Sequence, residues 1–295
     1  MEKLTPAVIK AWLELVTGTF DIREAWNEIG IETPENKNHL RVILYRIEHT
    51  EGSIVSLGNG KYRKRDIKIE EIDWQAADIT KSVPLHFPFG LEEHCRIFPK
   101  SIIILAGSKN EGKTAFLYDF IKRNMNSFTI DLFNSETGPE QMKERFEPLN
   151  IPTPAPFKVY ERYDNFADVI NPDHISVIDY LDLNSEVYLV GTEIDAIFRK
   201  LKTGVAIVGL QKPPPVKTFF KGKEKMVERD LAYGGGFSAK RAVLYISLGL
   251  HRLKLVYVKN PAKQRVKPDN MTWSYDFDGS GYFVNIQRYY ETERT

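Results

Sequence analysis

The segment 107–114 constrains this chain more than any other, because it matches G-x-x-x-x-G-K-[ST], the pattern of a phosphate-binding loop. The apolar, β-branched segment 101–106 before it predicts a buried strand, and the segment 115–121 after it predicts a helix. A strand, a glycine-rich loop and a helix in this order form the context that the pattern requires. The predicted phosphate-binding residues are Gly107, Ser108, Lys109, Asn110, Glu111, Gly112, Lys113 and Thr114.

The chemistry of phosphate binding explains this spacing. Glycines let the backbone curl so that its N–H groups point inward at phosphate oxygens, and the following helix adds the positive end of its dipole. Lys113 is expected to reach the β- and γ-phosphates, and Thr114 to offer its hydroxyl to Mg²⁺. The sequence therefore predicts ATP and Mg²⁺ as cofactors. The alternative, a chance match in a turn that contains glycine, is disfavoured by the predicted strand and helix.

Composition excludes several classes of protein. With 42% hydrophobic and 27% charged residues, the chain is expected to fold into a soluble globular protein rather than to remain disordered. No apolar run reaches the length of a transmembrane helix, and the N-terminus lacks the pattern of a signal peptide. The single cysteine, Cys95, excludes an internal disulfide and a cysteine zinc cluster. These features predict a cytoplasmic protein without a membrane partner, and the net charge of +1 restricts any contact with nucleic acid to local patches.

Residues 1–66 are expected to form a small separate module. Apolar residues at helical spacing, with threonine or aspartate caps, predict three helices, and Gly58-Asn59-Gly60 is a typical hairpin turn between two short strands. The predicted helices cover 6–16, 22–29 and a segment from Pro34, and the predicted strands cover 53–57 and 61–64. Three helices followed by a hairpin resemble a winged helix-turn-helix domain.

In a winged helix the third helix enters the major groove of DNA and the hairpin contacts the backbone. Amide and guanidinium groups suit the edges of bases, and lysines suit phosphates. The resemblance therefore implies double-stranded DNA as a partner of this module. The alternative is a protein-binding module whose charges are solvated. The candidate DNA-binding residues are Lys37, Asn38 and Arg41 in the third helix and Lys61, Arg63 and Lys64 in the hairpin.

Residues 67–86 are predicted to be a linker, since prolines and paired glutamates interrupt regular structure, although Trp74 and Phe87 are expected to pack on the folded chain. The second domain is then expected over 87–295. Its predicted strands alternate with helices, which favours an α/β fold with a mostly parallel sheet covered by helices. In such a fold the functional site lies at the carboxyl ends of the strands.

Three later strands end in polar residues that suit phosphate chemistry. The strand predicted over 128–133 is followed by Glu136, which is expected to lie beside the strand of the phosphate-binding loop and to activate water for attack on the γ-phosphate. A second predicted strand ends in Asp179, the Walker B pattern, whose carboxylate holds Mg²⁺. A third is followed by Gln211, which would sense the γ-phosphate, the alternative being an exposed loop residue.

Four segments together resemble the RecA-type core of DnaB-like replicative helicases. They are the phosphate-binding loop and the segments 134–142, 177–183 and 208–211. Plasmid RepA-type helicases and KaiC-like proteins share parts of the same pattern. The resemblance covers roughly residues 85–285 and implies a RecA-like P-loop NTPase core that assembles as a ring-shaped homo-oligomer. It implies catalytic roles for Glu136, Lys113 and Gln211, and a metal site at Thr114 and Asp179.

The resemblance also implies a lysine and an arginine near a late strand that project into the ATP site of the neighbouring subunit. Lys259 matches the lysine, but Pro261 stands at the arginine position. Lys263 and Arg265 are the remaining candidates for that charge. A second departure is the N-terminal module, because DnaB-like helicases carry a different helical domain there.

The segment after Gln211 is predicted to be a long charged loop. In RecA-like proteins this region grips single-stranded DNA, so its lysines are expected to track phosphates and its phenylalanines to stack on bases. A mobile charged loop without a ligand is the alternative. The candidate residues are Lys217, Phe219, Phe220, Lys221 and Lys223.

Together these features predict a DNA-dependent ATPase of the RecA/DnaB type, which the resemblance extends to helicase activity. It would act in the replication or recombination of a phage, a plasmid or a mobile element. An ATP-switched DNA-binding regulator or helicase loader with little turnover is the alternative, and Pro261 motivates it. A small-molecule kinase is disfavoured, because the sequence has no arginine cluster typical of a closing lid.

Overall fold

The computed structural model describes residues 4–16, 18–65, 69, 71–179, 189–220 and 223–290, and only the backbone of Phe219, Phe220, Lys223 and Lys225. The segment 180–183, part of the resemblance quoted above, lies outside the described residues. The chain divides into two compact units, one within residues 1–77 and one within residues 78–295. No helix in the described ranges is long and apolar enough to cross a membrane.

In its described residues, the first unit contains three α-helices, a π-helical turn over Ile47–Glu51 and a three-stranded antiparallel sheet. Its elements are α1 (Pro6–Leu15), β1 (Thr19–Asp21), α2 (Ile22–Ile29), α3 (Pro34–Arg46), β2 (Ile54–Gly58) and β3 (Lys61–Lys64), and the strand order is β1-β3-β2. A capping box starts α2, because Arg23 N donates to the Asp21 carboxylate and Asp21 N donates to Glu24. Ile9, Leu40 and Leu44 are fully buried in the core between the helices and the sheet.

The second unit is an α/β structure built on a nine-stranded sheet. Its strands are β4 (Ser101–Gly107), β5 (Ile130–Asn134), β6 (Lys158–Glu161), β7 (Ile175–Asp179), β8 (Val205–Gln211), β11 (Ala242–Gly249), β12 (Arg252–Val258), β13 (Thr272–Phe277) and β14 (Phe283–Tyr289). The sheet order is β14-β13-β12-β11-β4-β8-β7-β5-β6, and the six strands from β11 to β6 are parallel. The helices are α4 (Lys113–Asn124), α5 (Pro139–Phe146) and α6 (Leu189–Lys200).

The strand β4 lies between β8 and β11, and all seven of its residues are buried. Ile103 and Leu105 pack with the apolar side of α4, while Ile102 and Ile104 pack on the opposite face with α6. Because both faces are covered, the strand consists of continuous apolar residues rather than an alternating pattern. The segment 107–112 therefore leaves the centre of the sheet at its carboxyl edge.

The position of β5 differs from the expectation. The strand that precedes Glu136 is separated from β4 by β8 and β7, so it does not lie beside the strand of the phosphate-binding loop. Parallel strands are joined by crossover connections, and local sequence does not reveal which later strand is inserted between two earlier ones. Since parallel strands end at the same edge, Glu136 still lies at the edge from which the phosphate-binding loop leaves.

The segment after Gln211 also differs from the expectation, because it forms a two-stranded antiparallel hairpin rather than a loop. The strands are β9 (Val216–Phe220) and β10 (Lys223–Val227), with Val216 opposite Val227. A cross-strand ion pair of 2.6 Å joins Lys217 Nζ to Glu224. Phe87, at the start of the second predicted domain, is buried as expected, but Trp74 in the predicted linker is 73% exposed, so the prediction that Trp74 packs is wrong.

Replacing Gly204 by alanine is expected to lower the free energy of unfolding by about 1–3 kcal/mol. A Cβ at this position would lie 2.3 Å from His174 O and 2.8 Å from Pro172 O, and backbone atoms cannot move aside cheaply. Equilibrium denaturation in urea measures the change. Gly236→Ala is the matched control, because nothing lies within 4 Å of its Cβ. An equal loss in both variants would contradict the steric cause.

Candidate nucleotide site

The phosphate-binding loop adopts a conformation that requires its two glycines. Gly112 has φ of 86° and caps the N-terminus of α4, a backbone region that side chains disfavour. A Cβ on Gly112 would lie 2.8 Å from the ring of Phe277, and a Cβ on Gly107 would lie 2.6 Å from Cγ of Lys113. The close approach of these two side chains to the loop therefore depends on glycine at both positions.

The ammonium group of Lys113 lies over the loop. Its Nζ donates to Gly107 O at 3.0 Å and to Ser108 O at 3.2 Å. Burial lowers the pKa of Lys113, while the nearby carboxylates of Glu136 and Asp179 oppose that shift. A lysine held in this position by backbone carbonyls presents its charge where a phosphate on the loop would lie.

Thr114 and Asp179 form a pair of oxygen donors beside Lys113. Thr114 Oγ1 donates to Asp179 Oδ1 at 3.3 Å, and Asp179 is only 2% exposed. Burial raises the pKa of Asp179 to about 6, and the hydrogen bond from Thr114 only partly opposes this. A buried carboxylate that accepts a long hydrogen bond from a neutral hydroxyl is suited to hold a cation.

Mg²⁺ fits this donor set better than a metal that requires an all-protein cage. The described part of the chain contains no group of three or more histidine, cysteine, aspartate and glutamate side chains that could hold a metal. Mg²⁺ prefers oxygen ligands and usually takes one or two from the protein, with waters and phosphate oxygens completing its shell. The hydroxyl of Thr114 and the carboxylate of Asp179 are donors of this kind.

One cavity of about 940 Å³ brings the remaining residues together. Its walls include Lys113, Thr114, Glu136 and Gln211. Gln211 lies directly opposite Gly107 in the register of β8 and β4. Four groups with complementary roles in phosphate chemistry therefore share one opening at the carboxyl edge of the sheet.

The turn that carries Glu136 is fixed by Asn134 at the end of β5. Thr137 donates to Asn134 Oδ1 from its N–H at 3.3 Å and from its hydroxyl at 2.8 Å. Asn134 Nδ2 in turn donates to Thr137 O at 2.5 Å. The exposed carboxylate of Glu136 is thereby presented to the cavity and to solvent.

A buried ion pair beneath the loop has no counterpart in the sequence prediction. Lys212 Nζ lies 3.2 Å from Glu228 Oε2 and donates to Leu248 O at 3.0 Å, while Ser108 Oγ donates to Glu228 Oε1 at 3.1 Å. Lys212 is 3% exposed. The only signal in the sequence is that this lysine directly follows the apolar strand β8 and Gln211.

The candidates for a charge in a neighbouring ATP site lie at the other edge of the sheet. Lys259 N donates to Val243 O near the start of β11, whereas the phosphate-binding loop follows the end of β4. Pro261 forms an isolated antiparallel bridge with Cys95, which precedes β4 in the chain. The exposed candidates that follow are Lys263 and Arg265. These residues do not line the cavity of their own chain.

In the first unit, the candidates on α3 surround Trp26. Lys37 Nζ lies 4.8 Å and the Arg41 guanidinium 5.8 Å from the centre of the Trp26 ring. Arg41 also donates to Asn38 Oδ1 at 3.0 Å. The three candidates therefore form one polar and aromatic cluster on the helix.

On β3 the candidates alternate between two environments. Lys61 and Arg63 are exposed, whereas Lys64 Nζ donates to Leu13 O at 2.8 Å near the end of α1. In the hairpin of the second unit, the Lys217 ammonium is paired with Glu224. The side chains of Phe219, Phe220 and Lys223, and Lys221 entirely, lie outside the described residues.

No protein-family model matches this chain, and no curated protein matches it in sequence. Among solved structures, the crystal structure of the RadB recombinase is similar to this chain with a TM-score of 0.40 and 12% sequence identity. That similarity covers 61% of this chain and 90% of the RadB chain. The functional interpretation therefore depends on the residues and geometry of the site.

Asp179→Asn is expected to raise the free energy of unfolding by about 1 kcal/mol in the absence of Mg²⁺, because the buried charge is removed and the hydrogen bond from Thr114 can remain. The same variant should lose the stabilisation that Mg²⁺ and ATP give the unchanged protein. Thermal unfolding in EDTA and in Mg²⁺ with ATP measures both effects. A strong loss of stability in EDTA would instead mean that the carboxylate serves the fold.

Proposed function

We propose that this chain is a RecA-like, DNA-dependent ATPase that acts in replication or recombination, as in a phage, a plasmid or a mobile element. The observation that carries the proposal is the shared cavity, in which the lysine and threonine of a phosphate-binding loop face a glutamate and a glutamine. The order of strands supports it, because the loop leaves a central parallel strand at the edge where Asp179 also ends its strand.

Each residue has a distinct role in the proposed hydrolysis. The backbone N–H groups of the loop and the Lys113 ammonium bind the β- and γ-phosphates. Thr114 and Asp179 would hold Mg²⁺, which would supply positive charge beside those phosphates. Glu136 accepts a proton from the water whose oxygen bonds to the γ-phosphorus, while the bond from the γ-phosphorus to the β–γ bridging oxygen breaks and ADP leaves with that oxygen. Gln211 contacts the γ-phosphate.

The first unit supplies the proposed contact with double-stranded DNA. Its element order and its three-stranded sheet are compatible with a winged helix, with α3 as the helix for the major groove. The exposed side chains of Lys61 and Arg63 on the hairpin would contact phosphates. Single-stranded DNA would bind the second unit at the hairpin of β9 and β10, and a homo-oligomer is part of this proposal.

A second candidate function is an ATP-switched regulator or helicase loader with little turnover. The observation that favours it is Pro261, which stands where the resemblance implies an arginine, while Lys259, Lys263 and Arg265 do not line the cavity of their own chain. Unless a second copy brings one of these side chains to the γ-phosphate, the site lacks a positive charge that would stabilise the transition state of hydrolysis. Such a site can still bind ATP through the phosphate-binding loop.

Steady-state ATP hydrolysis, with and without single- and double-stranded DNA, tests the proposed function. Turnover that depends on Mg²⁺ and rises with DNA is expected, and Lys113→Ala should reduce it by about 100-fold or more, because a principal phosphate contact is lost. Tight ATP binding with slow turnover that DNA does not change would favour the ATP-switched regulator or loader. A protein that neither binds nor hydrolyses ATP would overturn both candidate functions.

Two neighbouring residues of β3 provide a matched test of DNA binding. Arg63→Ala is expected to weaken binding to double-stranded DNA and to reduce the slope of log affinity against log salt by about 1, because an exposed phosphate contact is removed. Lys64→Ala should instead lower stability by about 1 kcal/mol, since its amine is bonded to Leu13 O. Fluorescence anisotropy and urea denaturation measure the two effects; identical behaviour of the variants would contradict this assignment.

A further inference from the structure

The turn between β13 and β14 covers the start of α4. On one side, the ring of Phe277 packs on Gly112, and Tyr275 OH donates to Glu111 O at 3.0 Å. On the other side, the hydroxyl of Tyr282 donates to Arg145 O at the end of α5. The turn thus spans the distance from the phosphate-binding loop to α5 and forms one wall of the cavity.

This turn is fixed by its own hydrogen bonds. Asp278 Oδ1 accepts from Ser280 N and from Tyr282 N, each at 2.9 Å, and Asp278 N donates to Tyr282 O at 2.9 Å. The ring of Tyr282 is therefore held in place at its backbone and at its hydroxyl. A ligand that used this ring would find it already oriented, which reduces the entropy lost on binding.

The ring of Tyr282 differs from its aromatic neighbours. Phe277 and Phe283 contact each other with tilted rings and meet Tyr275 edge to face, with ring centres 4.8–5.4 Å apart. Within the described residues, Tyr282 makes no such ring contact, although it lines the cavity and is half-buried. An aromatic ring that is held at both ends and has no ring partner has a face available to a planar ligand.

A second, independent feature of the same cavity is the hydroxyl of Tyr118 on α4. Tyr118 is fully buried, and its hydroxyl makes no hydrogen bond of good geometry in the described part of the chain, although the Thr137 side chain lies close enough to lower the pKa of Tyr118. Burial raises the pKa of Tyr118 to about 12, so the group is a neutral donor. Native proteins rarely leave such a hydroxyl unpaired, which indicates that a ligand in the cavity completes it.

The size of the cavity agrees with a ligand larger than a chain of phosphates. Its volume of about 940 Å³ lies within the range of small-molecule sites, about 300–1,000 Å³. The loop and Lys113 account for the phosphates. A further part of the cavity wall is not assigned to phosphate binding, and it is lined by Tyr118, Ser280 and Tyr282.

We propose that Tyr282 and Tyr118 form a nucleoside subsite, in which the base stacks on the ring of Tyr282 and the hydroxyl of Tyr118 donates to the nucleoside. The inference rests on the proposed function, because it requires the triphosphate to lie on the phosphate-binding loop. It goes beyond that function by assigning the residues that recognise the part of the ligand that carries no phosphate.

Calorimetric titration of the full chain with ATP and with inorganic tripolyphosphate, both with Mg²⁺, tests the subsite. Tyr282→Ala is expected to weaken ATP binding about 10-fold and to leave tripolyphosphate binding unchanged, because only the base uses the ring. Tyr282→Phe should retain ATP affinity within about twofold, since it keeps the ring. Equal weakening of both ligands, or no effect on either, would overturn the subsite and leave Tyr282 as a support of the wall.

Tyr118→Phe provides the second arm, since it removes one hydroxyl and no packing. ATP affinity should fall about 5-fold, tripolyphosphate affinity should not change, and thermal stability without ligand should not fall. A loss of stability without an effect on ATP would overturn the role of Tyr118. If Lys113→Ala abolishes tripolyphosphate binding but neither tyrosine substitution changes the affinity for ATP, the subsite is overturned and the proposed function is not. If neither ligand binds the unchanged protein, the proposed function fails with it.

Discussion

The burial of β4 on both faces is the constraint on which the candidate site depends. Helices α4 and α6 cover its two faces, and β8 and β11 occupy its two edges, so its end at Gly107 has a fixed position. Parallel neighbours end at the same edge, which brings Gln211 beside Gly107 and Asp179 within reach of Thr114. The loop itself contributes little apolar burial, and its geometry is set by the strand and the helix that hold its ends.

Two polar groups near the loop are incompletely satisfied by the protein. Within the described ranges, the buried carboxylate of Asp179 accepts a long hydrogen bond from Thr114, and the hydroxyl of Tyr118 makes no hydrogen bond of good geometry. Each lowers the stability of the folded chain on its own, because buried polar groups are stable only when paired. Such groups are retained where a ligand or a cation completes them, which is the common physical basis of the proposals made for this cavity.

The sequence predicts local structure well and long-range arrangement poorly. The strand, loop and helix around Gly112 follow from glycine spacing and apolar runs, and α2 follows from the cap at Asp21. The insertion of β8 and β7 between β4 and β5 was not predictable, because it depends on pairing between distant segments. The same limit applies to Tyr282, whose role depends on a turn more than 160 residues from the loop it covers. The exposure of Trp74 shows that an aromatic residue in a linker is not evidence of packing.

The ion pair of Lys212 and Glu228 has a mechanical consequence. These residues stand at the two ends of the segment that forms β9 and β10, and Glu228 also binds Ser108 in the phosphate-binding loop. The five-residue strands extend for about 16 Å beyond that point. Because this ion pair joins the two ends of the segment, a displacement of the hairpin at its base would disturb a largely buried ion pair. The same displacement would reach the phosphate-binding loop through the hydrogen bond from Ser108 to Glu228.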